Sequence, residues 1–124
     1  MAAETAPLGL RTLMLEPGRF RTDISSSEKL GRSELSQIPE YRQLSQLVFD
    51  YLGDLHGKQQ GNPAKLVDIT LDLVRGEGVA AGKEVPLRLP LGKDSLEAVQ
   101  GKVEAVSKSI EEWKEVSTST DFEV

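Results

Sequence analysis

The sequence predicts an α/β fold: part of a doubly wound parallel sheet, truncated on its amino-terminal side. Three observations carry this. A short apolar run, Leu10 to Leu15, leads into Pro17-Gly18 and a polar loop with a hydroxyl, as a buried parallel strand does at the carboxyl edge of a sheet. A second run, Val85 to Leu91, alternates apolar and other residues far downstream. Between the two lie segments whose apolar residues recur at helical steps.

The elements follow in order. Met1 to Ala6 reads as the tail of a helix, stopped by Pro7 and the turn residue Gly9. Helix tail, glycine turn, buried strand and Pro-Gly loop make the second half of a βαβ unit whose first half is not in the sequence. Residues 23–37 are polar and serine-rich without a firm period, which predicts a mobile loop with a short helical turn. Pro39 suits the first turn of a helix, and Tyr41, Leu44, Leu47, Val48, Tyr51, Leu52 and Leu55 then give one apolar face that ends at Gly57. Asn62-Pro63 supplies a cap and first-turn proline for the next helix. Leu66, Val67, Ile69, Thr70, Leu73 and Val74 make it apolar almost all round, as for a helix packed on a sheet face, and Gly76 and Gly78 end it. In the run 85–91, Pro86 and Pro90 cannot donate ladder hydrogen bonds, so this is an edge or terminal strand. Asp94-Ser95 is expected to cap the last helix, where Leu96, Val99, Val103, Val106, Ile110 and Trp113 form a narrow heptad-like seam. The tail from Ser117 is expected to fray.

Composition narrows the function classes. At 124 residues the chain is one domain, with 38% hydrophobic residues and only 5% aromatics, lean for a self-sufficient core. The net charge is −5 and the 15 basic residues are scattered, which argues against nucleic acid and anionic membrane surfaces. There is no cysteine, so disulfides and thiolate metal sites are excluded, and the single His56 rules out a multi-histidine metal site. His56 is expected to sit at a helix C-terminus, where a cation favours the dipole. No stretch approaches the roughly 18 apolar residues of a membrane span. No basic start followed by an apolar region suggests a signal peptide, so a cytoplasmic protein is the default.

The wording of several segments goes further. Pro7-Leu8-Gly9-Leu10-Arg11 runs into Leu15-Glu16-Pro17-Gly18-Arg19-Phe20-Arg21-Thr22-Asp23, and Gly57-Lys58-Gln59-Gln60-Gly61-Asn62-Pro63-Ala64-Lys65 follows. Pro86 to Gly92 and Ser119-Thr120-Asp121-Phe122 complete the series. In this order they resemble the C-terminal portion of the short-chain dehydrogenase/reductases, in a fungal-type branch. Pro-Gly-x-x-x-Thr alone is a weak motif, since Pro-Gly after a strand is a common turn; the order of several segments makes the match specific.

The resemblance implies a partial NAD(P)-binding, Rossmann-like domain over 1–124, with a substrate-loop region at 23–56 and a terminal helix and tail at 93–124. It implies that Pro17 and Gly18 line a nicotinamide ring, and that the Phe20 backbone N–H and the Thr22 hydroxyl bond its carboxamide. A flat neutral amide is well held by a backbone donor plus one hydroxyl. The implied cofactor is NAD or NADP, the implied reaction hydride transfer with a small carbonyl or alcohol substrate, and the last helices and strand are an implied homo-oligomer interface.

Two family features have no counterpart. No glycine-rich phosphate loop opens a first βα turn. The catalytic Tyr-x-x-x-Lys is absent too: Tyr41 is followed at the fourth place by Ser45, and Tyr51 by Leu55. No catalytic residue is therefore assigned, and the fragment is expected to be inactive by itself. The alternative from another class is a non-enzymatic remnant or an interaction and oligomerisation module that uses the terminal seam. A truncated product of a longer reading frame is a third reading. Unpaired strand edges and apolar helix faces predict marginal stability or aggregation.

Overall fold

Two parallel strands and their connecting helices organise the computed structural model, which describes residues 2–26, 28–29 and 38–122. In chain order these are α1 (Ala2–Thr5), β1 (Met14–Pro17), α2 (Pro39–Leu55), α3 (Pro63–Arg75), β2 (Arg88–Leu91) and α4 (Lys93–Thr118). Single 3₁₀ turns lie at Ala6–Leu8, Asp23–Ser25 and Gly78–Ala80. Most of the serine-rich stretch, residues 30–37 and Ser27, lies outside the described residues.

The expected helix tail and glycine stop are present. Gly9 adopts φ 74 and its N–H bonds the Ala6 carbonyl, closing the turn after α1. The first strand is displaced from the expected Leu10–Leu15. It begins at Met14 because pairing begins there: the Met14 N–H reaches the Leu87 carbonyl at 2.8 Å, and the Gly18 N–H reaches Leu91 at 2.8 Å. The register between them pairs Met14 with Arg88 and Pro17 with Leu91. β2 likewise shortens from 85–91 to 88–91. β1 is parallel as expected, but it is not buried within this chain, since Met14 is 45% exposed and Leu15 only half-buried.

Both long middle helices match their local signals. Pro39 opens α2 in its first turn. The Asn62 side chain accepts from the backbone N–H of Ala64 at 2.9 Å, and Gly76 at φ 74 ends α3 with its N–H on Asp72. The cap expected of Asp94-Ser95 is not made. Gly92 stands at the N-cap of α4 without a side-chain bond. Both side chains are drawn instead to the end of β1: Asp94 binds Arg19, and Ser95 Oγ donates to the Glu16 carbonyl at 2.7 Å.

The core is thin. Leu73 and Ala80 are the buried apolar residues among those described, and Ser25 and Gln59 the buried polar ones. Val67 and Val74 on α3 remain more than half exposed, so the all-round apolar helix finds only part of the cover it is patterned for. The α4 seam is similar, with Val103, Ile110 and Trp113 all more than half exposed.

Candidate functional site at the carboxyl edge of the sheet

Because β1 and β2 run parallel in register, they end together at Pro17 and Leu91. Gly18 and Gly92 then stand side by side, a Cβ on Gly92 falling 3.7 Å from the Gly18 nitrogen. A Cβ on Gly18 would fall on the Asp94 carboxylate, so a side chain here would push that carboxylate away. Pro17 fixes φ just before it and lies exposed at the strand end.

Asp94 holds the loop. Its Oδ2 accepts from the Arg19 backbone N–H at 2.8 Å and from Arg19 Nε at 3.0 Å. The Arg19 guanidinium also donates to the Tyr51 hydroxyl on α2. The two Arg19 hydrogen bonds, backbone first, hold the Asp94 carboxyl below the ordinary carboxylate range, and the same bond raises the Arg19 guanidinium. Side chains at this pair are one-third to one-half exposed, so it orders the loop more than it stabilises the fold.

Phe20 forms an isolated parallel bridge with Gly61. Its hydrogen bonds run from Gly61 N–H to the Arg19 carbonyl at 3.0 Å and from Arg21 N–H to the Gly61 carbonyl at 2.9 Å. In a parallel bridge the central residue's own N–H points away from its partner. The Phe20 N–H accordingly has no partner among the described residues. Thr22 follows in extended conformation, exposed, and its hydroxyl makes no cap bond to the 3₁₀ turn at Asp23–Ser25. Of the four residues named from sequence, Pro17 and Gly18 thus form the strand end, and Phe20 and Thr22 present the two uncommitted donors.

Sequence reasoning missed the anchor beneath them. The segment Lys58–Pro63 gave no site reading, yet Gln59 is only 4% exposed. Its Nε2 donates to Ser25 Oγ at 2.9 Å, and its backbone carbonyl accepts from Arg21 Nε at 3.1 Å. Ser25 Oγ lies 3.4 Å from His56 Nδ1. His56 occupies the expected C-cap of α2, but its ring turns to this cluster. The available signal was Gly61, where a Cβ would sit 2.7 Å from the Phe20 ring.

Beside this loop lies a cleft of about 310 Å³ lined by Phe20, Gly61, Asn62, Leu66, Ile69 and Leu91, with Lys65 and Lys93 at its rim. A smaller one of about 200 Å³, lined by Arg19, Gln59, Lys93 and Asp94, adjoins it. Among the described residues no cluster of His, Asp or Glu could hold a metal ion. No described helix is long and apolar enough to cross a membrane.

No family model matches the chain. It is 32% identical to "Oxidoreductase BOA17" of Botryotinia fuckeliana over 97% of its own length. A crystal structure of a short-chain dehydrogenase from Streptomyces avermitilis superposes with a TM-score of 0.65 over 98% of the chain, at 31% identity. The chain spans about 40% of the length of each of these proteins. By sequence and by fold, the chain is similar over nearly its whole length to part of a curated oxidoreductase and of a short-chain dehydrogenase, the likeness expected of a C-terminal portion of the short-chain dehydrogenase/reductase fold.

Proposed function

We propose that the loop Pro17–Thr22 is the nicotinamide-facing loop of an NAD(P)-dependent oxidoreductase. The observation that carries the reading is the pair of donors, the Phe20 N–H and the Thr22 hydroxyl, both without protein partners among the described residues, at the carboxyl edge of parallel strands. These donors suit a neutral carboxamide: one rigid backbone N–H and one rotatable hydroxyl can bond its oxygen and nitrogen in one plane. The absence of a side chain at Gly18 lets the Asp94 carboxylate close onto the loop, and Pro17 keeps the turn rigid. When bound, NAD or NADP supplies or accepts the hydride, and the substrate is a small carbonyl or alcohol compound.

In this reading the chain's own residues orient. Asp94 and Gln59 fix the two ends of the loop, through Arg19 and through Arg21 with Ser25. Residues 23–56 belong to the region that covers substrate. With neither Tyr-x-x-x-Lys nor a glycine-rich loop in the sequence, the chain contributes no proton donor and no pyrophosphate cradle. Catalysis therefore belongs to the complete enzyme, and this chain alone is expected to be inactive.

The test is a fluorescence titration of the chain with NADH and with NADPH, repeated in a longer form that restores the Tyr-x-x-x-Lys helix and the glycine-rich loop. In the longer form, Thr22→Val should weaken binding on the order of tenfold, as expected for one hydrogen bond to a polar ligand. Unchanged affinity in that variant sinks the site assignment.

A second reading, a self-association module, is favoured by the bare seam of α4, where Val103, Val106 and Ile110 are all exposed. A concentration-dependent dimer abolished by Ile110→Glu supports it; a monomer at every concentration rejects it.

A further inference from the structure

Gln59, Ser25 and His56 form a chain of hydrogen bonds whose direction is fixed by the chemistry of each group. Gln59 Nε2 can only donate, so at 2.9 Å the Ser25 Oγ accepts from it. Ser25 keeps one proton of its own, and His56 Nδ1 lies 3.4 Å from the same oxygen. That nitrogen therefore accepts, which places the ring proton of neutral His56 on Nε2. The order is Gln59 to Ser25 to His56. Ser25 and Gln59 are buried, whereas His56 at the end of the chain is exposed. The other end is incomplete: Gln59 Oε1 is buried and has no partner among the described residues.

A protonated imidazole cannot take its place in that order. Nδ1 can then only donate, so Ser25 Oγ would face two donors while its own proton lost its acceptor. The unpaired acceptor of the cluster is Gln59 Oε1. Turning the Gln59 amide about its terminal bond exchanges Nε2 and Oε1 without moving the backbone, so Arg21 Nε keeps its bond to the Gln59 carbonyl. The chain then runs from His56 to Ser25 to Gln59. One end of the amide goes unpaired in either order, Oε1 in the first and Nε2 in the second. The difference lies in the link to His56, which becomes charge-assisted.

We propose that this cluster is a proton-operated latch: protonation of His56 reverses the hydrogen-bond chain and tightens the hold of α2 on the 3₁₀ turn Asp23–Ser25. Histidine is the side chain that ordinarily changes charge near neutrality. The charged groups on the elements that meet here are Asp54 on α2, Asp23 on the turn, Arg21 on the loop and Lys58 beside Gln59. None of the four bonds the His56 ring, whose one hydrogen-bond partner among the described residues is Ser25. The latch is independent of the nicotinamide reading, since it acts on the loop whatever that loop faces.

The test follows the 124-residue chain by nuclear magnetic resonance from about pH 8 to about pH 5. The Gln59 side-chain amide signals should shift with the same midpoint as the His56 ring. Exchange at Ser26, whose N–H closes the turn on Asp23, should slow on the order of fivefold once its intrinsic pH dependence is divided out. His56→Gln, at an exposed position, should abolish both responses. Ser25→Ala should leave the ring titrating and the Gln59 amide silent. Should Ser25→Ala fail to fold, the native chain and His56→Gln decide by themselves. A Gln59 amide that stays constant through the His56 titration overturns the proposal, as does exchange at Ser26 that quickens on protonation. A response that survives in His56→Gln overturns it too, because another group would then be driving the amide.

Discussion

The loop cluster at the carboxyl edge and the long terminal helix occupy opposite ends of the range of support this chain offers. Residues 17–26 are tied to the rest at Asp94, Tyr51, Gln59 and Gly61, by hydrogen bonds that join positions distant in sequence. α4 contacts β2 at its start and then runs on with every residue exposed from Gln100 to Thr118. The first region is held by directional polar bonds, so it can be well positioned without a large core. The second has an apolar seam, and apolar surface stabilises only when something covers it. Directional polar bonds can therefore hold the geometry of a site where the apolar packing around it is thin.

Four perturbations break or sharpen this contrast. The largest effect is expected from Gly18→Val. Its branched side chain would displace the Asp94 carboxylate from its bonds to Arg19, costing about 1–3 kcal/mol. A urea titration by circular dichroism checks it, and a native-like transition would show that the loop has room to yield. Next is Gln59→Leu, which leaves Ser25 buried beside His56 without its amide donor; a loss of about 1–3 kcal/mol is expected, with faster amide exchange at Arg21 and Ser26. If only global stability drops while those amides keep their protection relative to α3, Gln59 is not the anchor of the loop.

The third concerns pH. Asp94 is held below its ordinary carboxylate pKa by the Arg19 bonds. Its contribution is therefore complete above the unfolded value near 4 and is lost as pH falls through the lower native value. Nuclear magnetic resonance should show the Arg19 amide shift titrating below pH 4, and Asp94→Asn should abolish that titration; an Arg19 amide that titrates with an unperturbed carboxylate midpoint would count against the bond. The smallest effect belongs to the helix. Gly101 has open space where its Cβ would go, so Gly101→Ala should raise stability by about 0.5–1 kcal/mol from helix propensity alone. A destabilising result would reveal that α4 is packed against something in solution.

Legibility in the sequence followed the distance over which each feature is determined. The starts of α2 and α3 and the end of α3 were readable because Pro39, Asn62, Pro63 and Gly76 act on backbone within one turn. The Pro17-Gly18 strand end was readable from a contiguous hexapeptide. The length of β1 was not, since a strand is as long as its partner allows, and Leu87 lies far along the chain. Asp94 looked like a cap because Asp at a helix start usually is one. The structure spends it on Arg19, since the parallel register brings Gly18 within reach of that carboxylate. Gln59 gave no signal, for a polar residue in a polar loop acquires meaning only from what folds over it.

By itself, then, the sequence determined the α/β class, the middle helices and the late proline-bearing strand, all of which depend on periodicity, caps and contiguous wording. The tertiary structure alone decided where the strands begin and which residues hold the loop in place. Those depend on pairing across more than thirty intervening residues in every case, as in Arg21 to Gln59, Tyr51 to Arg19 and Asp94 to Arg19. Local chemistry can propose a donor, but only the fold supplies its acceptor.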